Sequence, residues 1–425
     1  MMQFRDDERF DTRQLLQHAA QQADERGFRD FLIVDVDCHH YETESFVQVA
    51  EYIEDPIVRH NLQSSLRKGA ARPGVLPSQI GDQDMGGRVT RYPRRGEEVT
   101  EAGAPRDVQL VHRYQEQLGI DYSVLFPTPM LNLGMHPQTD VEVALARAYA
   151  RWMTEEVLPH SRTIRTMLYL PFNDPEESLR LIRDFGSSPN VVGFLVTSVR
   201  QVPVHHNRYV PVYTALSELG LPLAFHAAYD WTNGPVAQLN KFISVHALGF
   251  PLYNMIHLTN FVINGVAARF PDLKVLWIEG GLSYIPFLMQ RLDNEYMMRS
   301  SEAPLLTKLP SDYMRDFYWS SQPLEATWNP RLLEEIFRML DASNRLLYAS
   351  DYPHWDFDTP SVIYDLPFLD EQAKRRILGL NAAELFGLPT EGSRAASDDA
   401  AADARADAFD GARAPADVRP TEAGG

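Results

Sequence analysis

Residues 31–42 read FLIVDVDCHHYE, an apolar run that passes directly into two aspartates and two histidines. If residues 31–37 form a strand, successive side chains alternate between its faces, so Asp35, Asp37 and His39 point the same way. An Asp-x-His pair at a strand end can offer two ligands to one metal ion. The alternative is a loop with ordinary polar residues. Asp35 lies deepest in the strand, where we expect it to support the ligands through hydrogen bonds.

Short apolar runs alternate with helical patterns along most of the chain. Eight runs read as strands, and an alternation of eight strands with helices is typical of a (β/α)8 TIM barrel. A doubly wound sheet is the alternative, and we predict the barrel because the strand count reaches eight. The predicted strands are 31–37, 121–127, 164–171, 191–197, 222–226, 274–279, 316–320 and 345–350. The predicted helices are 45–54, 107–118, 139–157, 174–185, 209–219, 258–270, 283–297, 330–340 and 370–386.

Three segments flank or interrupt the predicted barrel domain of residues 31–390. Residues 1–30 are predicted to be an N-terminal helical extension that lies against the domain. Residues 66–106 are rich in glycine, proline and charge, and a loop this long is usually either functional or disordered. We expect this insertion after strand 1 to be a lid over the barrel mouth or a dimer arm. Residues 391–425 are rich in alanine and aspartate, and we predict a disordered acidic tail.

Charge and cysteine content narrow the class of protein. A formal net charge of −18 over 425 residues argues against nucleic acid or an anionic membrane as a partner. The single cysteine, Cys38, excludes an intramolecular disulfide and a multi-cysteine zinc cluster. No apolar run approaches the ~18 residues needed to cross a bilayer, and the start, MMQFRDDERF, lacks a signal-peptide pattern. We therefore expect a soluble cytoplasmic protein that acts on a small molecule.

Reactive side chains follow four of the predicted strands. Asp37 and His39 end the first strand, His226 the fifth, Glu279 the sixth and Asp351 the eighth. In a TIM barrel these strand ends share the rim that carries the active site, so the side chains can converge. Without Glu279, this set has two carboxylates, Asp37 and Asp351, and two imidazoles, which suit Zn²⁺, Mn²⁺ or Fe²⁺. Each residue alone also has an ordinary explanation, such as a core histidine or a helix N-cap.

Glu279 and His354 are candidate catalytic residues. Glu279 precedes Gly280-Gly281, which we interpret as open space for a ligand beside the carboxylate; the alternative is an ion pair with an arginine. His354 comes three residues after Asp351, so it can turn back toward the barrel mouth and titrate near neutral pH. The alternative for His354 is a hydrogen bond that stabilises its loop.

Three segments together resemble a known superfamily. They are IVDVDCHH at 33–40, ARFPDLKVLWIEGGLSYIPFLMQRLD at 268–293 and LLYASDYPHWD at 346–356. From about residue 31 to 388, the chain resembles the amidohydrolase superfamily, in the branch related to aminocarboxymuconate-semialdehyde decarboxylase.

The resemblance implies a single-metal site with Asp37, His39, His226 and Asp351 in the ligand positions. Zn²⁺ is the first expectation, with Mn²⁺ and Fe²⁺ as alternatives. Two positions depart from the family pattern. Asp37 replaces the first histidine of the usual His-x-His motif, and Glu279 replaces the histidine of the usual His-Gly-Gly.

The expected activity is metal-dependent decarboxylation of a small aromatic or dienoic carboxylic acid. The metal would chelate the carboxylate and an adjacent oxygen, and an acid would protonate the carbon that loses CO₂. The alternative is hydrolysis of a C–N, C–O or C–C bond by a metal-activated water, with Asp351 as general base. A non-catalytic scaffold is a third possibility, which metal content would distinguish. We also expect a homodimer.

Overall fold

Eight parallel strands follow one another in chain order in the computed structural model of the chain, and each pairs with the next. The structure describes residues 12–41, 45–67, 99, 103–197, 202–228, 234–325 and 329–390. The strands are β1 (Val34–His40), β2 (Tyr122–Pro127), β3 (Ile164–Tyr169), β4 (Val191–Thr197), β5 (Leu223–His226), β6 (Val275–Ile278), β7 (Tyr318–Ser320) and β8 (Leu346–Leu347).

Backbone hydrogen bonds between β1 and the segment after β8 close the barrel. The amide of Val36 donates to the carbonyl of Tyr348 at 3.0 Å, and the amide of Asp351 donates to the carbonyl of Asp37 at 2.7 Å. The first and last strands are therefore neighbours, and their polar ends lie side by side. The predicted (β/α)8 barrel is confirmed, and the doubly wound alternative is wrong.

Helices surround this barrel and connect successive strands. They are α1 (Thr12–Arg26), α2 (Phe46–Val49), α3 (Pro56–Arg67), α4 (Arg106–Leu118), α5 (Thr139–Trp152), α6 (Pro175–Phe185), α7 (Val210–Leu219), α8 (Gly234–Ala237), α9 (Phe242–Ile263), α10 (Val266–Arg269), α11 (Tyr284–Arg299), α12 (Pro310–Met314), α13 (Pro330–Met339), α14 (Ala342–Arg345), α15 (Ser361–Tyr364), α16 (Glu371–Arg375) and α17 (Asn381–Phe386). A π-helical turn extends α5 at Met153–Val157, and another joins α16 to α17 at Arg376–Leu380.

Aromatic contacts show which side chains of β5 point outward, toward the helices. The ring of Phe225 on β5 stacks on Trp277 of β6 at 4.6 Å, and it also contacts Phe261 of α9 at 5.6 Å. These rings therefore fill the layer between strands and helices. Because side chains alternate along a strand, His226, the next residue after Phe225, points into the barrel.

Two helical predictions need correction. The helix predicted at 258–270 begins much earlier, because α9 starts at Phe242 and continues through Pro251. A proline normally marks a break in a sequence pattern, and here the packing of a largely apolar helix outweighs that cost. Helix α3 was not predicted at all, although Asp55 gives the signal for it. The Asp55 carboxylate accepts hydrogen bonds from the amides of Ile57 and Val58, both at 2.8 Å.

The N-terminal segment packs against the barrel domain. Ala23 and Phe28 are buried, and Arg26 Nη2 lies 2.7 Å from Asp365 Oδ2. The predicted lid at 66–106 lies outside the described residues except for 66, 67, 99 and 103–106, and the predicted tail at 391–425 lies wholly outside them. Among the helices of the described part, none is long and apolar enough to cross a membrane.

Candidate metal centre

The ends of β1, β5 and β8 bring the four predicted ligands together. His39 Nε2 lies 3.1 Å from Asp37 Oδ1 and 3.3 Å from Asp351 Oδ1. His226 Nε2 lies 3.3 Å from the same oxygen of Asp37. All four side chains are buried. The arrangement forms a compact cluster at the C-terminal rim of the barrel, where TIM-barrel active sites lie.

Two overlapping sets of donor atoms could each hold a cation. One consists of Asp37, His39 and His226, and the other of His39, Asp351 and His354; within each set the donor atoms lie within 4.8 Å of one another. His39 belongs to both sets and is therefore central. The structure thus brings His354 into the cluster as a further donor, beyond the four residues expected from the sequence.

The imidazoles of His39 and His226 are oriented as metal ligands. Nδ1 of His39 donates to the carbonyl of Pro127 at 3.1 Å, and Nδ1 of His226 donates to the carbonyl of Ala227 at 2.8 Å. Because a carbonyl can only accept, each neutral ring carries its proton on Nδ1. The lone pair on each Nε2 then faces Asp37, an orientation that outer hydrogen bonds commonly give to metal-binding histidines.

Buried polar atoms in the cluster lack partners among the described residues. Asp37 Oδ2, His39 Nε2 and Glu279 Oε2 are buried and make no hydrogen bond there. Buried polar atoms are nearly always hydrogen-bonded, so these three unpaired atoms indicate that a ligand binds here. Carboxylate oxygens and imidazole nitrogens together suit a divalent transition metal or zinc. The residues present therefore fit the expected cation.

Burial and mutual repulsion perturb the carboxyl groups around the cluster. Burial raises the pKa of Glu279 well above its ordinary value, and the charges of Asp351, Asp37 and Asp356 add to this shift. Burial likewise raises the pKa of Asp351. For Asp37, burial opposes ionisation, but the adjacent His226 and His39, in their protonated forms, lower its pKa overall. Four carboxylates this close cannot all ionise in a buried site without a compensating cation.

Backbone strain marks two of the site residues. Glu279 has φ 59° and Asp351 has φ 60°, values in the left-handed region that side chains rarely adopt. Such conformations cost of order 1–3 kcal/mol each and cluster at functional sites. The amide of Glu279 donates to Ser320 Oγ at 2.9 Å, which holds the strained residue in place.

Glu279 lies beside the cluster rather than within either donor set. Its Oε2 is 3.5 Å from His226 Nδ1, and none of the ion pairs found among the described residues joins it to an arginine or lysine. The interpretation of Gly280 as open space is wrong, because a Cβ there would lie 2.5 Å from Asn254 Nδ2. Gly281 has φ 71°, so both glycines serve close packing and a tight turn.

His354 turns back toward the barrel mouth. Its Nδ1 lies 2.7 Å from Asp351 Oδ1 and its Nε2 lies 3.2 Å from Thr128 Oγ1. The ring also stacks on His39, with centroids 4.4 Å apart. These contacts show that His354 orders its loop and orients a candidate ligand, and its catalytic role stays a prediction.

Asp35 hydrogen-bonds to the backbone segments that carry the cluster. Its Oδ1 accepts hydrogen bonds from the amides of Asp37 (3.1 Å) and Ser350 (2.9 Å), and its Oδ2 accepts one from Tyr114 of α4 at 3.0 Å. The pairing of β1 with β2 shifts register between Asp35 and Cys38. This irregularity breaks the simple alternation, so the expectation that Asp35 shares the face of Asp37 and His39 is wrong.

Two supporting residues were missed from the sequence. Gln322, just after β7, donates from Nε2 to Asp351 Oδ2 at 3.2 Å. His40, next to a candidate ligand, bonds through Nδ1 to Asp107 Oδ1 at 2.9 Å and through Nε2 to Tyr149 at 2.8 Å. The available signals were a polar strand end, SSQP, and the second histidine of the first motif.

The sequence of the chain matches a known family and two named relatives. Residues 36–388 match the family described as amidohydrolase. Gamma-resorcylate decarboxylase of Rhizobium sp. (strain MTP-10005) is 23% identical over 273 residues, covering 59% of this chain and 79% of that protein. The 2-amino-3-carboxymuconate-6-semialdehyde decarboxylase of Dictyostelium discoideum is 22% identical over 181 residues, covering 42% and 48%.

A solved structure shares the fold. The dihydroxybenzoic acid decarboxylase from Polaromonas sp. JS666, with bound manganese and the inhibitor 2-nitroresorcinol, superposes with a TM-score of 0.58 at 18% identity, covering 84% of this chain and 97% of that one. The family match spans the barrel from β1 to the end of α17, including every residue of the cluster. The chain belongs to the amidohydrolase family.

Proposed function

We propose that this protein is a metal-dependent lyase that decarboxylates a small aromatic or dienoic carboxylic acid. The observation that carries the proposal is the buried cluster of Asp37, His39, His226 and Asp351, with unpaired donor atoms and the carboxyl group of Glu279 beside it. The names of the relatives support decarboxylation over hydrolysis, since the two sequence relatives described above are both decarboxylases.

In this proposal Asp37, His39, His226 and Asp351 hold one divalent ion. When bound, such an ion acts as a Lewis acid toward the substrate carboxylate and an adjacent oxygen. Zn²⁺ fits the mixed nitrogen and oxygen donors. The manganese in the dihydroxybenzoic acid decarboxylase structure supports Mn²⁺ as the alternative.

Glu279 supplies the proton in this proposal. When the bond from the ring or diene carbon to the carboxyl carbon breaks, CO₂ leaves and the electron pair stays on the carbon. The protonated carboxyl of Glu279 transfers its proton to that carbon, and solvent then reprotonates Glu279. Burial keeps this carboxyl protonated more readily than an exposed one. His354 positions Asp351 through their 2.7 Å contact.

The test is product analysis of the metal-loaded protein with a panel of hydroxybenzoic and muconic-type acids. We expect one CO₂ per product molecule, and in D₂O one deuterium at the carbon that lost the carboxyl group. Release of a hydrolysis product would favour the hydrolase instead, with Asp351 taking the proton of the attacking water. Stoichiometric metal without any turnover on the panel would contradict the decarboxylase proposal.

We also propose that the chain forms a homodimer. Its support is a set of exposed apolar side chains along α9, namely Ile243, Leu248 and Ile256. Light scattering coupled to size-exclusion chromatography tests this, and a mass of one chain would refute it. The cytoplasmic location expected from the sequence remains a prediction.

A further inference from the structure

A second cavity adjoins the metal centre on the side of β6 and β7. It has a volume of about 60 Å³, smaller than the ~300–1,000 Å³ of a pocket for a whole ligand, so it suits a single substituent. Its lining includes His246, Phe250, Glu279, Gln322, Glu325 and Asp356. Two of these residues also touch the metal cluster. Glu279 lies 3.5 Å from His226, and Gln322 hydrogen-bonds to Asp351, so the cavity and the cluster share a wall.

Gln322 directs an unpaired acceptor away from the metal cluster. Its amide nitrogen donates to the Asp351 carboxylate at 3.2 Å, and a carboxylate accepts hydrogen bonds, so the amide oxygen Oε1 must face the other way. Gln322 is fully buried, and Oε1 has no partner among the described residues. A buried carbonyl oxygen without a partner is rare in proteins, which indicates that a ligand supplies the donor.

Asp356, which also lines the cavity, carries a second unpaired acceptor. Its Oδ1 is buried and has no hydrogen-bond partner among the described residues. Its Oδ2 lies 3.7 Å from His246 Nε2, which is too long for a hydrogen bond. Asp356 is the last residue of the LLYASDYPHWD motif, so the loop that carries Asp351 to the metal cluster also carries this carboxylate to the cavity.

The remaining lining strengthens the preference for a donor. Glu325 adds negative charge, but its Oε2 is already used by the amides of Leu282 and Ser283 at 3.0 and 2.6 Å. The lining residues found in the described part include no lysine or arginine. The wall is partly aromatic, since His246 contacts Phe250 at 4.7 Å and Trp355 at 5.3 Å between ring centroids. The cavity thus combines flat walls with acceptors that have no compensating cation.

We propose that this cavity is a substrate subsite for a hydrogen-bond-donating substituent, an amino or hydroxyl group, remote from the carboxylate that reacts. Gln322 Oε1 and Asp356 Oδ1 are the acceptors that receive it. The assignment rests on the proposed function in one respect, because it takes the metal cluster as the end of the site that binds the reacting carboxylate. A methoxy group or a second carboxylate would leave both acceptors unpaired, so the subsite rejects them.

The size of this discrimination follows from the charge of Asp356. A hydrogen bond to a charged group contributes enough to change affinity by about 10- to 100-fold. We therefore expect acids that carry an amino group to bind at least ~10-fold more tightly than their methoxy counterparts. An amino group has two N–H donors and can serve both acceptors, whereas a hydroxyl group has one donor, so hydroxyl-substituted acids should lie between these two.

The test measures equilibrium binding by calorimetry to the Mn²⁺-loaded protein. The probes are 2-hydroxybenzoic acids substituted at position 4 or 5 with an amino, hydroxyl, methoxy or carboxylate group. The variant Asp356→Asn keeps the size of the side chain and removes its charge, so the preference for amino over methoxy should fall to ~3-fold or less. Asp312→Asn, which removes a partly exposed charge of α12 that pairs with Arg315, is the matched control and should keep the preference.

Equal binding of amino and methoxy acids by the parent protein would overturn the subsite, whatever the variants do. An unchanged preference in Asp356→Asn would overturn the role of that residue. The same acids are assayed for CO₂ release, which separates the two proposals. Release of CO₂ without a donor preference contradicts the subsite alone, whereas a donor preference without CO₂ release contradicts decarboxylation and leaves the subsite supported. Failure of every probe to bind overturns the subsite.

Discussion

Replacing Glu279 with glutamine removes the proposed proton donor while changing little else. The side chain keeps its length, and the backbone amide of residue 279 still donates to Ser320 Oγ, which holds the strained conformation. Glu279 is not a member of either donor set, so metal binding should remain. The buried carboxyl makes no ion pair with an arginine or lysine of the described part that the substitution would break. The Glu279→Gln variant should therefore fold and hold metal like the parent.

The expected effect of Glu279→Gln is a lower catalytic rate. A positioned general acid contributes about 10²–10⁴-fold, which corresponds to ~3–5 kcal/mol of transition-state stabilisation. We expect kcat for CO₂ release to fall by this factor, with thermal unfolding and metal content unchanged. The exposed Glu302→Gln variant in the turn after α11 serves as the matched control. A Glu279→Gln enzyme within ~3-fold of the parent from about pH 5 to 9 would refute the assignment, and the proton would then have to come from elsewhere, with His354 as the next candidate.

Three further outcomes follow from named contacts. Asp37→Asn should weaken metal binding by at least ~10-fold in competition with a chelator, because His39 and His226 lose their shared carboxylate. Burial raises the pKa of Asp358 to about 7 from an ordinary value of 3.8, so the folded state binds this proton more tightly than the unfolded chain does. The free energy of unfolding should therefore fall by up to ~4 kcal/mol as pH rises from about 4 to 7. Asp358→Asn should remove this pH-dependent change in urea unfolding. Trp277→Ala should cost ~3–5 kcal/mol of unfolding free energy without altering metal content.

The strands were predictable because strands of a closed parallel barrel are buried on both sides. Residues 191–197, VVGFLVT, are all buried in the structure, and such strands read as continuous apolar runs rather than alternating ones. The polar residues that interrupt the end of such a run then stand out. This local signal was enough to find Asp37, His39 and His226, because a barrel fixes where each strand end lies.

The rest of the site depends on packing that no local pattern records. Gln322 and Asp356 lie on loops, and His246 lies on α9, whose early start was hidden by the apparent break at Pro251. The direction of Asp35 depends on a register shift between β1 and β2, which involves two distant segments. The role of Gly280 could not be predicted correctly either, because its neighbour Asn254 comes from α9.

Metal analysis of the purified protein and of His226→Ala tests the central claim most directly. His226 reaches the cluster from β5, with Nε2 3.3 Å from Asp37 and Nδ1 fixed by the Ala227 carbonyl. We predict about one divalent ion per chain in the parent and in the exposed His18→Ala control, and loss of most of that metal together with CO₂ release in His226→Ala. A parent protein without stoichiometric metal, or a folded His226→Ala variant with full metal occupancy, would contradict the account.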